Sequence, residues 1–106
     1  MTADYSTLSA DQFSPHIGKI FRFLAPEDQA VVFEAELTVV AERPEFTPRW
    51  AKRTSFAMKF EMPEDSTQWN GSYLVDHPVD GPMGPFYIGR TIPRNPPRAC
   101  FELIFN

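Results

Sequence analysis

Residues 53–62, R-T-S-F-A-M-K-F-E-M, place Phe56, Met58, Phe60 and Met62 on alternate positions. Successive side chains of an extended chain point to opposite faces, so this period of two is the mark of a half-buried strand and is incompatible with an amphipathic helix. A strand from Arg53 to Met62 is therefore predicted, with the four large apolar residues inward and Ser55, Lys59 and Glu61 outward. The same alternation over Val31–Glu42 sets Val31, Phe33, Ala35, Leu37 and Val39 on one face, with Glu34, Glu36 and Thr38 on the other.

Eleven prolines and five glycines cut the remaining chain into pieces too short for ordinary helices. Four of those pieces read as further strands: Lys19–Leu24, Ser72–His77, Pro85–Thr91 and Arg98–Phe105. The last carries Ala99, Phe101, Leu103 and Phe105 on its inward face. Turn chemistry separates them, as in A-P-E-D-Q-A after Leu24 and the Asn70-Gly71 step. The expected fold is all-β: a six-stranded antiparallel meander, closed as a small barrel or folded as a sandwich. Ahead of it, Ser9 as a helix cap, Asp11 in the first turn and Pro15 as a stop predict a short N-terminal helix that plugs one end.

Ten phenylalanines and an apolar fraction of 42% supply a core for one domain spanning residues 1–106. The one thiol, Cys100, has no partner for an internal disulfide, which points to a reducing compartment. No run approaches the roughly 20 apolar residues that span a bilayer, and the first residues lack a basic and apolar leader. A soluble, cytoplasmic protein with no membrane partner is expected.

If the chain reverses at every link, the links alternate between two ends, which allocates the charged and chemical residues before any strand order is known. One end receives Arg43, Arg49, Lys52 and Arg53 around Trp50, but also Glu42, Glu45, Asp76 and Asp80. A basic surface interleaved with aromatics suits single-stranded nucleic acid. This one is diluted by its acids, in a chain of net charge -4, so no nucleic-acid partner is expected. The same end collects His16, His77 and Asp80. Two imidazoles and a carboxylate are the donor types of a transition-metal site or of acid–base hydrolysis, although their spacing follows no recognised metal motif. Cys100 has no basic neighbour in sequence to activate it, and no phosphate loop or nucleophile elbow occurs. No cofactor is implied.

Four stretches, F-S-P-H-I-G-K-I-F-R-F from Phe13, S-F-A-M-K-F-E-M-P from Ser55, G-S-Y-L-V-D-H-P-V-D-G-P-M-G-P-F-Y-I-G-R from Gly71 and A-C-F-E-L-I-F-N from Ala99, carry a resemblance. They resemble a family of short, uncharacterised bacterial proteins, a domain of unknown function, opened by a Phe-x-Pro-His-hydrophobic-Gly segment and closed by a Phe-Asn strand. Some members accompany phage-tail-collar-like proteins, which implies an assembly or accessory role with a tail-collar-like structural protein as partner. The chain departs from shorter members in its loop E-R-P-E-F-T-P-R-W-A-K-R and its Pro-rich R-T-I-P-R-N-P-P-R. On the residues themselves, His16 orders the turn between the helix and the first strand.

These readings converge on a non-enzymatic protein-interaction or assembly-accessory module. Its partner-binding candidates are the loop residues Phe46, Arg49, Trp50, Trp69 and Phe86, of types enriched at interfaces. The C-terminal strand offers a route to a homodimer if its edge is open. The alternative is a small metal-binding protein or hydrolytic enzyme using His16, His77 and Asp80.

Overall fold

The computed structural model describes residues 8–51, 53–62, 70–91 and 99–105. They form six strands, β1 (Ile20–Leu24), β2 (Val31–Glu42), β3 (Phe56–Glu61), β4 (Gly71–His77), β5 (Gly81–Thr91) and β6 (Cys100–Phe105). All neighbours are antiparallel, and the sheet closes into a barrel in the order β1-β2-β3-β6-β5-β4. The barrel resolves the barrel-or-sandwich alternative, while the order corrects the expected meander. β4 returns beside β1 instead of pairing with β3, a Greek-key arrangement. β3 takes β6 as its neighbour, and the register explains the choice. Phe56, Met58 and Phe60 lie opposite Phe105, Leu103 and Phe101, so the two most apolar alternating faces of the chain coincide.

The barrel is filled with phenyl rings. Phe21, Phe23, Phe56, Phe60 and Phe101 are wholly buried. Phe23 stacks on Phe33 at 4.6 Å between centroids and meets Phe60 edge-on at 5.0 Å, in the offset and T-shaped geometries that aromatic quadrupoles favour. Phe56 and Phe105 stack at 4.8 Å nearer the other end.

That end is closed by the N-terminal segment, as expected, but with tighter geometry. Two 3₁₀ turns, Ala10–Gln12 and Ser14–His16, replace a continuous helix, and Pro15 sits inside the second turn rather than ending the first. Ser9 caps the first turn, its backbone N–H donating to Oε1 of Gln12 at 2.8 Å. Phe13, between the turns, is wholly buried and packs on Phe56 and Phe105.

The expected strand faces need three corrections. Val31 is 51% exposed, because the β1–β2 register shifts between Phe23 and Leu24. Further along β2, Leu37 opposes Phe60 and Val39 opposes Lys59, so Thr38 is an extra residue, a bulge. The bulge moves the inward face from Val39 to Val40, which packs against the core. The Thr38 hydroxyl donates to the Lys59 carbonyl at 3.2 Å. Ser55, expected outward, is buried at the mouth of the 43–55 loop. β5 also starts earlier than Pro85, at Gly81, and carries an irregularity where Tyr73 opposes Phe86 and Val75 opposes Met83. Gly84 lies in that irregularity at φ +116°, and a Cβ there would come within 2.9 Å of the Phe86 backbone nitrogen.

Two stability outcomes follow from these placements. Phe60→Ala lowers stability by about 3–5 kcal/mol in urea denaturation, from lost transfer energy and the cavity left behind, whereas Glu61→Ala on the outer face changes it by about 1 kcal/mol or less. Similar losses at both positions would refute the assigned face. Gly84→Ala costs about 1–3 kcal/mol through backbone strain, whereas Gly89→Ala, with only the Tyr87 ring near at 3.9 Å, costs about 1 kcal/mol or less; equal effects would show that the positive φ is not required.

Candidate functional site

The loop parity read from the sequence brings His16, His77 and Asp80 together. The two imidazole rings meet edge-on at 4.9 Å, and Asp80 Oδ2 is 3.7 Å from His77 Nδ1. What they build is a structural knot. His77, on the last position of β4, is buried, with Phe13 and Phe21 around its ring. Its Nε2–H donates to the Gln12 carbonyl at 2.7 Å, which ties the N-terminal plug to the barrel. Its Nδ1 accepts from the backbone N–H groups of Val79 and Asp80, both at 3.1 Å, and shapes the β4–β5 turn.

Both ring nitrogens are thus engaged by the backbone. A metal at Nδ1 would displace two hydrogen bonds. A hydrolytic dyad needs Nδ1–H to donate to the carboxylate, the reverse of the arrangement here. Among the described residues, no group of three His, Cys, Asp or Glu side chains is placed to hold a metal ion.

His16 is half-buried beside this knot, its Nδ1 3.3 Å from Lys19 Nζ. Partial burial, then the Lys19 ammonium, then the neighbouring His77 push its pKa below the ordinary 6.5, and the Asp80 carboxylate opposes them. The role read for His16, ordering the turn into the first strand, fits its backbone: its N–H donates to the Phe13 carbonyl and its carbonyl accepts from Lys19 N–H.

The second candidate place lies on the opposite side of the sheet order, where β5 meets β6. β6 pairs with β3 along its whole length, from Phe105↔Phe56 to Cys100↔Glu61. With β5 it makes three pairs only: Gly89↔Glu102, Arg90↔Phe101 and Thr91↔Cys100. Beyond them β5 and β6 form no further pairs, and an open groove of about 620 Å³ is bordered by Pro85, Phe86 and Tyr87 of β5 and by Leu103, Ile104 and Phe105 of β6, the Phe86 and Phe105 rings meeting edge-on at 5.0 Å. Ile104 and Tyr87 are 48% and 63% exposed. The Arg53 guanidinium lies over the Phe105 ring at 5.2 Å and near Phe56 at 5.8 Å, the distances of cation–π contacts. Desolvation lowers its pKa from the ordinary arginine value, and the group remains a cation.

A second groove, of about 580 Å³, meets the first at Ile104 and Phe105 and is bordered by Trp50, Pro48 and Arg43. The loop that holds Trp50 is pinned at its neck. Arg43 N–H donates to the Ser55 carbonyl at 2.6 Å, Ser55 N–H donates to Thr47 Oγ1 at 2.9 Å, and that hydroxyl donates to the Arg43 carbonyl at 3.2 Å. From the loop base, Arg43 reaches Glu102 on β6 at 3.8 Å.

Of the partner-binding residues expected from sequence, Trp50 and Phe86 border these two connected grooves. Arg49 is exposed in the same loop as Trp50. Phe46 belongs to a 3₁₀ turn, Pro44–Phe46. Trp69 lies outside the described residues, as does Lys52 of the basic cluster.

Residues 8–105 match a family model described as a domain of unknown function, DUF6916. The chain belongs to that family. No curated protein and no solved structure matches it. The matched span contains every described strand of the DUF6916 barrel, along with the histidine knot and the β5–β6 groove. No helix among the described residues is long and apolar enough to cross a membrane.

Sequence reasoning missed Arg53, Tyr87, Ile104 and Phe105 as groove residues of this DUF6916 chain. Their part in the groove depends on β6 lying beside β5, a neighbour relation that the pattern of neither strand discloses.

The histidine geometry sets a titration outcome. In proton NMR, His16 titrates below 6.5; Lys19→Ala raises the midpoint by removing a nearby cation, and Asp80→Asn lowers it by removing the opposing carboxylate. Since the folded chain takes up this proton at lower pH than the unfolded chain, the group's contribution to stability is complete above about 6.5 and falls as pH drops toward the folded midpoint. A midpoint above 6.5, or an Asp80→Asn shift upward, would contradict this arrangement.

Proposed function

We propose that this domain is a non-enzymatic protein-interaction module, an accessory to a larger assembly, and that its binding face is the groove at the β5–β6 seam. One observation carries the reading: the barrel closes there through three residue pairs, beside an open groove walled by Phe86, Tyr87, Ile104 and Phe105. Exposed Tyr87 and Ile104 and half-buried Phe86, next to a short ladder, offer both apolar area and strand-pairing geometry, the two elements of peptide recognition at a sheet edge. Trp50 extends the apolar surface over the adjoining groove.

The resemblance to proteins that accompany tail-collar-like partners suits the same reading and suggests a structural protein as partner. A lone thiol suits a reducing, cytoplasmic setting. The enzymatic or metal-binding alternative depends on His16, His77 and Asp80, and the two nitrogens of His77 already serve the backbone.

The test places a photo-cross-linking amino acid at Tyr87 or Ile104 of the full chain in its native cells, with Val79, 76% exposed at the histidine end, as control. The groove positions yield a discrete cross-linked protein that Val79 does not. No adduct, or the same adducts from Val79, would remove the groove as the binding face.

A further inference from the structure

The histidine knot keeps a proton in one fixed place, because its partners leave no choice of tautomer. The Gln12 carbonyl can only accept, so Nε2 of His77 carries the hydrogen; the backbone N–H groups of Val79 and Asp80 can only donate, so Nδ1 is a bare lone pair. The same nitrogen faces the Asp80 carboxylate, whose Oδ2 is 3.7 Å away and can bond to it only when Nδ1 carries a hydrogen. Two amides and one carboxylate thus compete for a single atom, and its protonation selects between them. Both sets of partners belong to the same turn, between β4 and β5.

The surroundings decide which imidazole takes an added proton. His16, edge-on to His77 at 4.9 Å, has the Lys19 ammonium 3.3 Å from its Nδ1, whereas His77 has the Asp80 carboxylate. The other charged side chains on the elements packed around His77 are Asp11, exposed on the first 3₁₀ turn, and Arg22 and Asp76, which bind each other at 3.4 Å across β1 and β4. Burial between Phe13 and Phe21 opposes a charge on His77, and the facing carboxylate offsets it. We infer that the knot is a proton-operated switch of the β4–β5 turn. One proton from solvent adds to the Nδ1 lone pair, the Val79 and Asp80 amides are released, and Nδ1–H donates to the Asp80 carboxylate, so that the turn re-forms around an ion pair. Nε2–H keeps its bond to the Gln12 carbonyl, and the plug stays seated while the turn moves. Pro78 and Val79 of this turn border a cleft of about 340 Å³ with Ile20, Arg22 and Asp76. Acidification therefore reshapes that surface, independently of the β5–β6 groove.

The experiment follows the intact, nitrogen-15-labelled chain by NMR from about pH 7.5 to about pH 5, above the ordinary range of carboxylate titration. The expected result is that the amide protons of Val79 and Asp80 move upfield, as their hydrogen bonds are lost, in step with the change of the His77 Nδ1 resonance. The His77 Nε2–H signal persists throughout, and the amides of β6 hold their positions. Asp80→Asn shifts the turn transition to lower pH, because the protonated ring loses its acceptor, whereas Asp76→Asn, at the Arg22 pair, shifts it less. His77→Gln abolishes the transition; should that chain fail to fold, the exposed position Asp80 supplies the deciding variant.

Turn amides that stay in place while His77 gains a proton would overturn the switch, as would a transition that Asp80→Asn leaves where it was. Loss of the Nε2–H signal together with the turn amides would show that the plug is released as well, contrary to the separation drawn here. A spectrum that collapses to that of an unfolded chain before the turn responds, or no response by about pH 5, where an ordinary histidine is already charged, would also overturn it. None of these results touches the cross-linking outcome, so the groove can stand as a binding face while the switch falls.

Discussion

The packing of phenyl rings inside a closed sheet is the constraint on which the other features depend. A six-stranded barrel has a narrow interior, and here Phe21, Phe23, Phe60 and Phe101 occupy it while Phe13 is pressed in from the end. Side chains this large leave a filled core, so any ligand must be met on the outside. The need to stop one mouth of the barrel also accounts for His77. Its bond to the Gln12 carbonyl and its acceptance of two turn amides hold the plug and the β4–β5 turn in one arrangement. A buried imidazole is costly unless its polar atoms are satisfied, and these are.

The same packing weakens the barrel at one place. β3 and β6 match along their full lengths because their apolar faces are in register. β5 must meet both β4 and β6, yet it contains Pro82, Gly84 and Pro85. Proline lacks a ladder donor and Gly84 adopts a backbone that side-chain-bearing residues avoid. The β5–β6 ladder ends at Gly89↔Glu102, and beyond it the half-buried Phe86 ring, edge-on to the core ring of Phe105 at 5.0 Å, borders a groove. Candidate binding chemistry thus arises where fold regularity fails, which is where interaction surfaces and core packing make opposing demands on the same residues.

How much of this was legible in the sequence can be judged strand by strand. Phe56-Ala57-Met58-Lys59-Phe60 announced its inward face because large apolar and polar side chains alternate without ambiguity. Val39-Val40 gave no such cue: both are apolar, so the face change at the Thr38 bulge left no trace in the pattern. Gly81-Pro82-Met83-Gly84-Pro85 read as a turn, since its residues are those of turns, although the chain there pairs with β4. Loop parity was enough to unite His16 with His77, because antiparallel reversal alone decides which links share an end. The groove was different. Trp50 and Phe86 stood out by type, but the part played by Arg53, Tyr87 and Ile104 depends on β6 lying between β3 and β5, and strand order is set by long-range matching of faces.

The order of strands also divides the chain in a way the barrel's outline conceals. β1, β2 and β3 are successive neighbours, and β4, β5 and β6 are successive neighbours, so each half can zip locally through hairpins. The two joints between halves, β1 with β4 and β3 with β6, connect residues far apart in sequence. Closing such loops costs chain entropy before any contact rewards it. The β3–β6 joint, where six pairs set Phe56, Met58 and Phe60 against Phe105, Leu103 and Phe101, supplies the apolar match that offsets this cost and holds the two halves together.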